Sequence, residues 1–281
     1  LELLKAVVIS IIQGITEFLP ISSSGHIFLL KNILKLEQGL FFDIVIHLGT
    51  LLAVIIFFRI EIYELIYGLF KKESNLKMFG DNLKWIDVLK IWLLFIIATI
   101  PAVIAGLFLN DFFDIKPSET QKWHFLFIAG TFTFTAVLLF STYFIKNNNN
   151  KIKNTSIIKA LIIGLFQAIA ILPGVSRSGS TITAGKYVGL EEKDAARFSF
   201  LMSIPVILGA FILELFNLIE NLKIADIKNN ILLLIISFIT SFIIGYLSLI
   251  FLIKILVKRK FWIFSIYLII PVIISVILWI L

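Results

Sequence analysis

Gln13-Gly14-Ile15-Thr16-Glu17-Phe18-Leu19-Pro20-Ile21-Ser22-Ser23-Ser24-Gly25-His26 starts as an apolar helical stretch and breaks at Leu-Pro. It then supplies three hydroxyls, a glycine and a histidine. About 154 residues later the pattern returns as Gln167-Ala168-Ile169-Ala170-Ile171-Leu172-Pro173-Gly174-Val175-Ser176-Arg177-Ser178-Gly179-Ser180-Thr181. Pro20 and Pro173 each remove a backbone donor and push the preceding residue out of helical angles. The serines that follow suit the N-cap of a restarting helix. The surroundings are mostly Ile, Leu, Phe and Val, and unsatisfied polar groups facing lipid cost several kcal/mol. Two polar breaks in such company mark a working site.

The composition places the chain in a membrane. Hydrophobic residues make up 59% and charged residues 15%, with a mean hydropathy of +1.04, outside the soluble range. There is no Cys, which excludes disulfides and thiolate metal sites. The net charge of +7 is distributed over short segments between apolar spans, so it reads as membrane orientation rather than nucleic-acid binding. Leu1–Ile12 runs directly into Gln13 and Glu17 with no small-residue cleavage site, so it reads as helix rather than signal peptide.

A helix needs about 20 apolar residues to cross the hydrocarbon core. Six stretches meet this, at 41–59, 86–108, 123–145, 194–218, 230–254 and 261–280. The regions 1–36 and 156–189 do not, and each reads as a re-entrant helical hairpin split at its Pro-Ser turn. Lys and Arg concentrate in 59–90, 146–159 and 254–260, while 109–122 holds only Lys116 and Lys122 and 219–229 only Lys223 and Lys228. The richer loops belong in the cytoplasm. The expected fold is therefore all-α and polytopic, with two inverted-topology repeats, each one re-entrant hairpin plus three spanning helices. Residues 1–145 form the first repeat, 146–155 the linker and 156–281 the second.

Both motifs, in order and at fitting length, resemble the bacterial undecaprenyl-diphosphatase family associated with bacitracin resistance. Gln13 to Glu17 leading into Phe18–His26 matches its first signature and Pro173–Thr181 its second; Phe41–Thr50 and Ala195–Leu201 also look familiar. Many members carry Glu where this chain has Gln13; an amide is no base and a weaker metal ligand, so more of that duty falls on Glu17. The resemblance implies hydrolysis of undecaprenyl diphosphate to undecaprenyl phosphate and inorganic phosphate, recycling the lipid carrier for cell-wall synthesis. It also implies a divalent cation, Mg²⁺ or Ca²⁺, at Gln13 and Glu17, and a location in the bacterial cytoplasmic membrane with the chemistry facing its outer side. The expected partners are the polyprenyl diphosphate, the bilayer, the substrate pool that bacitracin sequesters, and a second copy in a homodimer.

The residues carry their own chemistry. Arg177 is always charged and forks onto phosphate oxygens; the alternative is a structural pair with Glu17. Gly174 allows close backbone approach, and Ser176, Ser178 and Thr181 place hydroxyls near a helix N-terminus that attracts phosphate. Ser22 and Ser24 supply the same groups in the first motif. Glu17 lies on one helix face with Gln13, suited to binding a cation, orienting water or accepting a proton. Ser23 is the nucleophile that the resemblance suggests, with His26 as a nearby proton-transfer group and attack by water as the alternative. Asp43 and His47 share a helix face and read as a cavity rim or a local polar pair; His124 reads as an interfacial residue, and Glu191–Asp194 as a solvated loop. A transporter or flippase of a polyprenyl phosphate lipid is the competing function, because broken helices in inverted repeats also serve alternating access.

Overall fold

The computed structural model describes residues 2–35, 40–70, 76–78, 81–113, 122–145, 150–221 and 224–281. Residues 146–149 of the expected linker, and Lys71, Lys72, Lys116 and Lys223 of the charge count, lie outside these. The described chain is helical: α1 (Glu2–Phe18), α2 (Ser23–Leu34), α3 (Leu40–Phe57), α4 (Arg59–Phe70), α5 (Trp85–Phe113), α6 (Lys122–Ser141), α7 (Ile157–Ile169), α8 (Arg177–Tyr187), α9 (Glu192–Asn221), α10 (Ile224–Val257), α11 (Phe264–Tyr267) and α12 (Ile269–Ile280). One short antiparallel ribbon interrupts it, β1 (Leu76–Met78) paired with β2 (Asp81–Leu83).

Among the described residues, four helices are long and apolar enough to cross a membrane, Trp85–Phe108, Lys122–Phe144, Ile231–Val257 and Phe261–Ile280, or five if the bent pair α3 and α4 is one span. The molecule is a multi-pass membrane protein. The expected first span is bent. Its axis turns by 69° between α3 and α4, where Arg59 donates to the Ile56 carbonyl (3.0 Å) and terminates α3. α4 continues the apolar sequence beyond the bend, broken only by Arg59, Glu61 and Glu64. The stretch expected at 194–218 lies within α9, a helix of 30 residues carrying Pro205.

Both helical hairpins break where the prolines predict. α1 ends at Phe18 and α2 restarts at Ser23; α7 ends at Ile169 and α8 restarts at Arg177. With 17, 12, 13 and 11 residues, none reaches the ~30 Å of the hydrocarbon core at about 1.5 Å rise per residue. α1 packs on α2 and α7 on α8. α1 also packs on α10 as α7 packs on α5, and α3 on α10 as α9 packs on α5. α3 meets α9, and α6 meets α12.

Polarity is arranged inside out. Large apolar side chains such as Phe108, Val137, Leu232 and Ile280 face outward, whereas the hydroxyl-rich α8 is buried from Ser178 through Lys186. Phe18, Phe58, Phe132, Phe198 and Phe200 fill the core around it. The acidic first turn of α9 departs from the expected solvated loop. Asp194 is fully buried, accepts from the Ile152 backbone N–H (3.1 Å) and from Arg197 (3.2 Å), and Glu192 pairs with Lys186. Acidic groups at a helix N-terminus are stabilised by its free N–H groups, and here each also has a cation.

Candidate active site

The two breaks repeat one local design. Ser22 caps α2 by accepting from the Gly25 N–H (3.3 Å), and Ser176 caps α8 by accepting from the Gly179 N–H (3.1 Å). Ser22 Oγ lies 3.3 Å from Ser24 Oγ, and Ser176 Oγ lies 3.3 Å from Ser178 Oγ. At the offset that relates Gln13 to Gln167, Ser22, Ser24 and Gly25 coincide with Ser176, Ser178 and Gly179. The motifs differ where chemistry is expected: Ser23 corresponds to Arg177, and His26 to Ser180.

The turns are laced to each other. Ser24 Oγ accepts from the Gly174 N–H (3.3 Å), and Ser178 Oγ donates to the Leu19 carbonyl (3.3 Å). The approach requires glycine on both sides. A Cβ on Gly25 would come within 2.6 Å of the Phe132 ring and 3.0 Å of Gly174 Cα. Gly174 has φ +91°, and a Cβ there would collide with Thr131 Oγ1. Ser22 carries φ +69° without being glycine, a conformation that costs about 1 to 3 kcal/mol and persists only when neighbouring bonds hold it.

Glu17 is the centre of the lacing. Its Oε1 accepts from Arg177 Nη2 (3.0 Å), and its Oε2 accepts from Ser23 Oγ (2.7 Å) and Gln13 Nε2 (3.2 Å). The side chains of Glu17 and Arg177 are 10% and 18% exposed, so the ion pair is largely removed from water. Arg177 Nη1 and Gln13 Oε1 are buried with no hydrogen-bond partner among the described residues. A buried donor on the guanidinium and a buried acceptor on the amide, flanking one carboxylate, are an incomplete polar set.

His26 faces elsewhere. Its Nδ1 lies 2.7 Å from the Ser22 carbonyl and its Nε2 lies 3.0 Å from Tyr267 Oη. The ring stacks on Tyr267 and meets the Phe132 ring edge-on. The hydrogen bond of Ser23 thus goes to Glu17 and not to His26. The other expected phosphate ligands have structural partners: Ser22 and Ser176 cap, Ser24 and Ser178 lace, and Thr181 Oγ1 bonds the Arg177 carbonyl (2.8 Å) and Ser199 Oγ. Asp43 is bonded by Lys31 rather than His47, whose Nδ1 is 2.8 Å from the Asp43 carbonyl. His124 is buried beside Trp123.

Two participants escape sequence reasoning, Tyr267 and Thr135. Thr135 Oγ1 accepts from the Ser176 N–H (3.3 Å), and its one proton is shared between the Thr131 carbonyl of its own helix (3.0 Å) and the Gly174 carbonyl (3.3 Å), tying the second break to α6. The only signal is a run of alternating threonines, Thr131, Thr133 and Thr135, in an apolar span. Thr135→Val keeps the shape and deletes these bonds, leaving a buried N–H unsatisfied. A loss of about 1 to 3 kcal/mol is expected, read as a lower Tm in detergent.

Among the described residues no three His, Cys, Asp or Glu side chains cluster into a metal cage. Mg²⁺ does not require one, since it is commonly held by one or two carboxylates with substrate phosphates completing the shell. The unpartnered Gln13 Oε1 beside Glu17 fits that oxygen donor set.

Residues 6–274 match the family model described as bacitracin resistance protein BacA. The chain is 38% identical to the undecaprenyl-diphosphatase of Methanosphaera stadtmanae, covering 99% of this chain and 98% of that protein. It is 40% identical to the undecaprenyl-diphosphatase of Alcanivorax borkumensis over 94% of both chains. Undecaprenyl-diphosphatase 3 of Bacillus cereus is 38% identical over 94% of this chain and 92% of its own. Agreement of this extent spans both broken hairpins and the helices that join them, and places the chain in the bacitracin resistance protein BacA family.

Proposed function

We propose that this protein hydrolyses undecaprenyl diphosphate to undecaprenyl phosphate and inorganic phosphate, with the diphosphate head seated between the two laced breaks. The observation that carries the site assignment is the Glu17–Arg177 pair with its unused Nη1 donor. A guanidinium with one buried N–H unpaired is prepared to receive a phosphate oxygen.

The same geometry supports a sequence of events. Phosphate oxygens compete with Glu17 for Arg177, and as the guanidinium turns to them Glu17 keeps its contact to Ser23. Ser23 Oγ attacks the terminal phosphorus while its proton passes to Glu17, the bridging P–O bond breaks, and undecaprenyl phosphate leaves. Glu17 passes that proton to the departing phosphate. Water then attacks the phosphoserine and gives a proton to Glu17 as the bond from phosphorus to Ser23 Oγ breaks. Glu17 returns it to Ser23 Oγ, releasing inorganic phosphate and the Ser23 hydroxyl. Positioning and charge compensation govern phosphoryl transfer, so this small set of groups suffices. A divalent cation bound at Gln13 Oε1 and Glu17 would offset charge on the phosphate oxygens.

The proposed architecture is a pair of inverted repeats, residues 1–145 and 156–281 joined by 146–155. The matched turns and the exchanged packing of α1 on α10 and α7 on α5 support it. The lysine distribution supports a site opening to the outer side of the cytoplasmic membrane. Purified protein in detergent micelles should release inorganic phosphate from undecaprenyl diphosphate. Binding and exchange of the lipid without phosphate release would favour transport instead.

A further inference from the structure

Tyr267 belongs to the last spanning segment, remote in sequence from both motifs, and its hydroxyl meets His26 Nε2 at 3.0 Å. We propose that Tyr267 is a positioning residue that acts through His26 on the turn presenting Ser23. The inference rests on the reading of Ser23 and Glu17 as the reacting pair.

The argument begins at Ser22. Its carbonyl oxygen can only accept, so the 2.7 Å contact to His26 requires a proton on Nδ1. In the neutral ring Nε2 is then an acceptor, and Tyr267 must donate its O–H to it. The aromatic contacts hold the ring in that plane: Tyr267 stacks at 5.7 Å with an interplanar angle of 15°, and Phe132 closes edge-on at 5.2 Å and 80°. Two acceptor–donor pairs therefore fix one tautomer and one orientation.

That tautomer has work to do on the backbone. Ser22 sits at φ +69° immediately before Ser23, and its carbonyl is the peptide unit joined to Ser23. The Nδ1–H bond holds this peptide, while the Ser22 hydroxyl holds the Gly25 N–H. With the peptide fixed, Ser23 Oγ lies 2.7 Å from Glu17 Oε2. The opposite tautomer would turn a ring lone pair against the Ser22 carbonyl and release the peptide. The Ser22 carbonyl selects the tautomer, and Tyr267 completes it by donating to Nε2, which holds the ring in the orientation that points Nδ1–H at Ser22.

The decisive variant is Tyr267→Phe, which preserves both ring contacts and removes one hydroxyl. The expected result is a fall in kcat of about tenfold with KM changed less than about twofold, since the phosphate-binding Arg177 is untouched. The chain has three histidines, so ¹⁵N-histidine labelling, with His26→Gln for assignment, reads the tautomer independently of activity. Wild-type His26 should be protonated at Nδ1, and Tyr267→Phe, with no donor left at Nε2 to hold the ring, should weaken the Nδ1–H bond to Ser22 and shift the Nδ1 signal accordingly. Adding Tyr267→Phe to His26→Gln should slow the enzyme no further.

A wild-type Nε2–H tautomer would overturn the inference. So would slowing by Tyr267→Phe with an unchanged His26 Nδ1 signal, full additivity in the double variant, or wild-type kcat in Tyr267→Phe. Full activity of both Ser23→Ala and Glu17→Gln would instead remove the site reading beneath it, a failure the ring signals report separately.

Discussion

Arg177→Ala should lower kcat/KM for phosphate release by about 10³-fold or more, comparable to removing an arginine that stabilises phosphoryl transfer. It should also destabilise the fold by about 3 to 5 kcal/mol, because Glu17 is left as an unpaired buried carboxylate. The two effects have different causes and can be separated. Arg177→Lys keeps a charge beside Glu17 but loses the fork that reaches carboxylate and phosphate together. Stability should largely return while activity remains about 10²-fold down. The double variant Glu17→Gln, Arg177→Met removes both charges; it should recover most of the lost Tm and none of the activity. Thermal unfolding in detergent and initial rates on undecaprenyl diphosphate supply both readouts. Near-wild-type phosphate release by Arg177→Ala would show that the guanidinium only braces the two hairpins.

The breaks themselves were legible because a proline followed by serines inside apolar sequence has few explanations other than a helix that stops and restarts. Gln13, Glu17, Ser23 and Arg177 meet in one hydrogen-bonded set, and the internal repetition already implied that the two turns share a site. Their division of labour was not legible. A serine in such a motif looks equally suited to capping, lacing or catalysis, and only the fold shows Ser22 capping, Ser24 lacing and Ser23 bonded to Glu17. The partner of His26 was invisible for another reason. Tyr267 is one aromatic among many in an apolar span, and nothing local distinguishes it. The bend after Phe57 was hidden because hydropathy stays high across it. The acidic first turn of α9 misled in the opposite sense: charge suggested solvent, but Lys186, Arg197 and the Ile152 N–H give Glu192 and Asp194 partners within the protein.

Glu17→Gln tests the chemistry with the smallest change of shape. The amide oxygen can still accept from Arg177 while its NH2 donates to Ser23 Oγ, so the lacing of the breaks should largely survive, but the amide cannot take a proton. Loss of a general base at this position should reduce kcat by about 10²- to 10⁴-fold. Ser23→Ala then decides who attacks. If Ser23 forms the covalent intermediate, its variant should fall as far as Glu17→Gln, and the double variant no further, because the pair acts as one unit. Acid quenching of the working enzyme should also trap phosphoserine at Ser23. If water held by Glu17 attacks directly, Ser23→Ala should retain most of its activity and no phosphoserine should form. The 2.7 Å contact between Ser23 Oγ and Glu17 Oε2 favours the first outcome. A general base already bonded to the hydroxyl needs only the phosphorus to arrive, whereas a water would have to displace Ser23 before it could be activated.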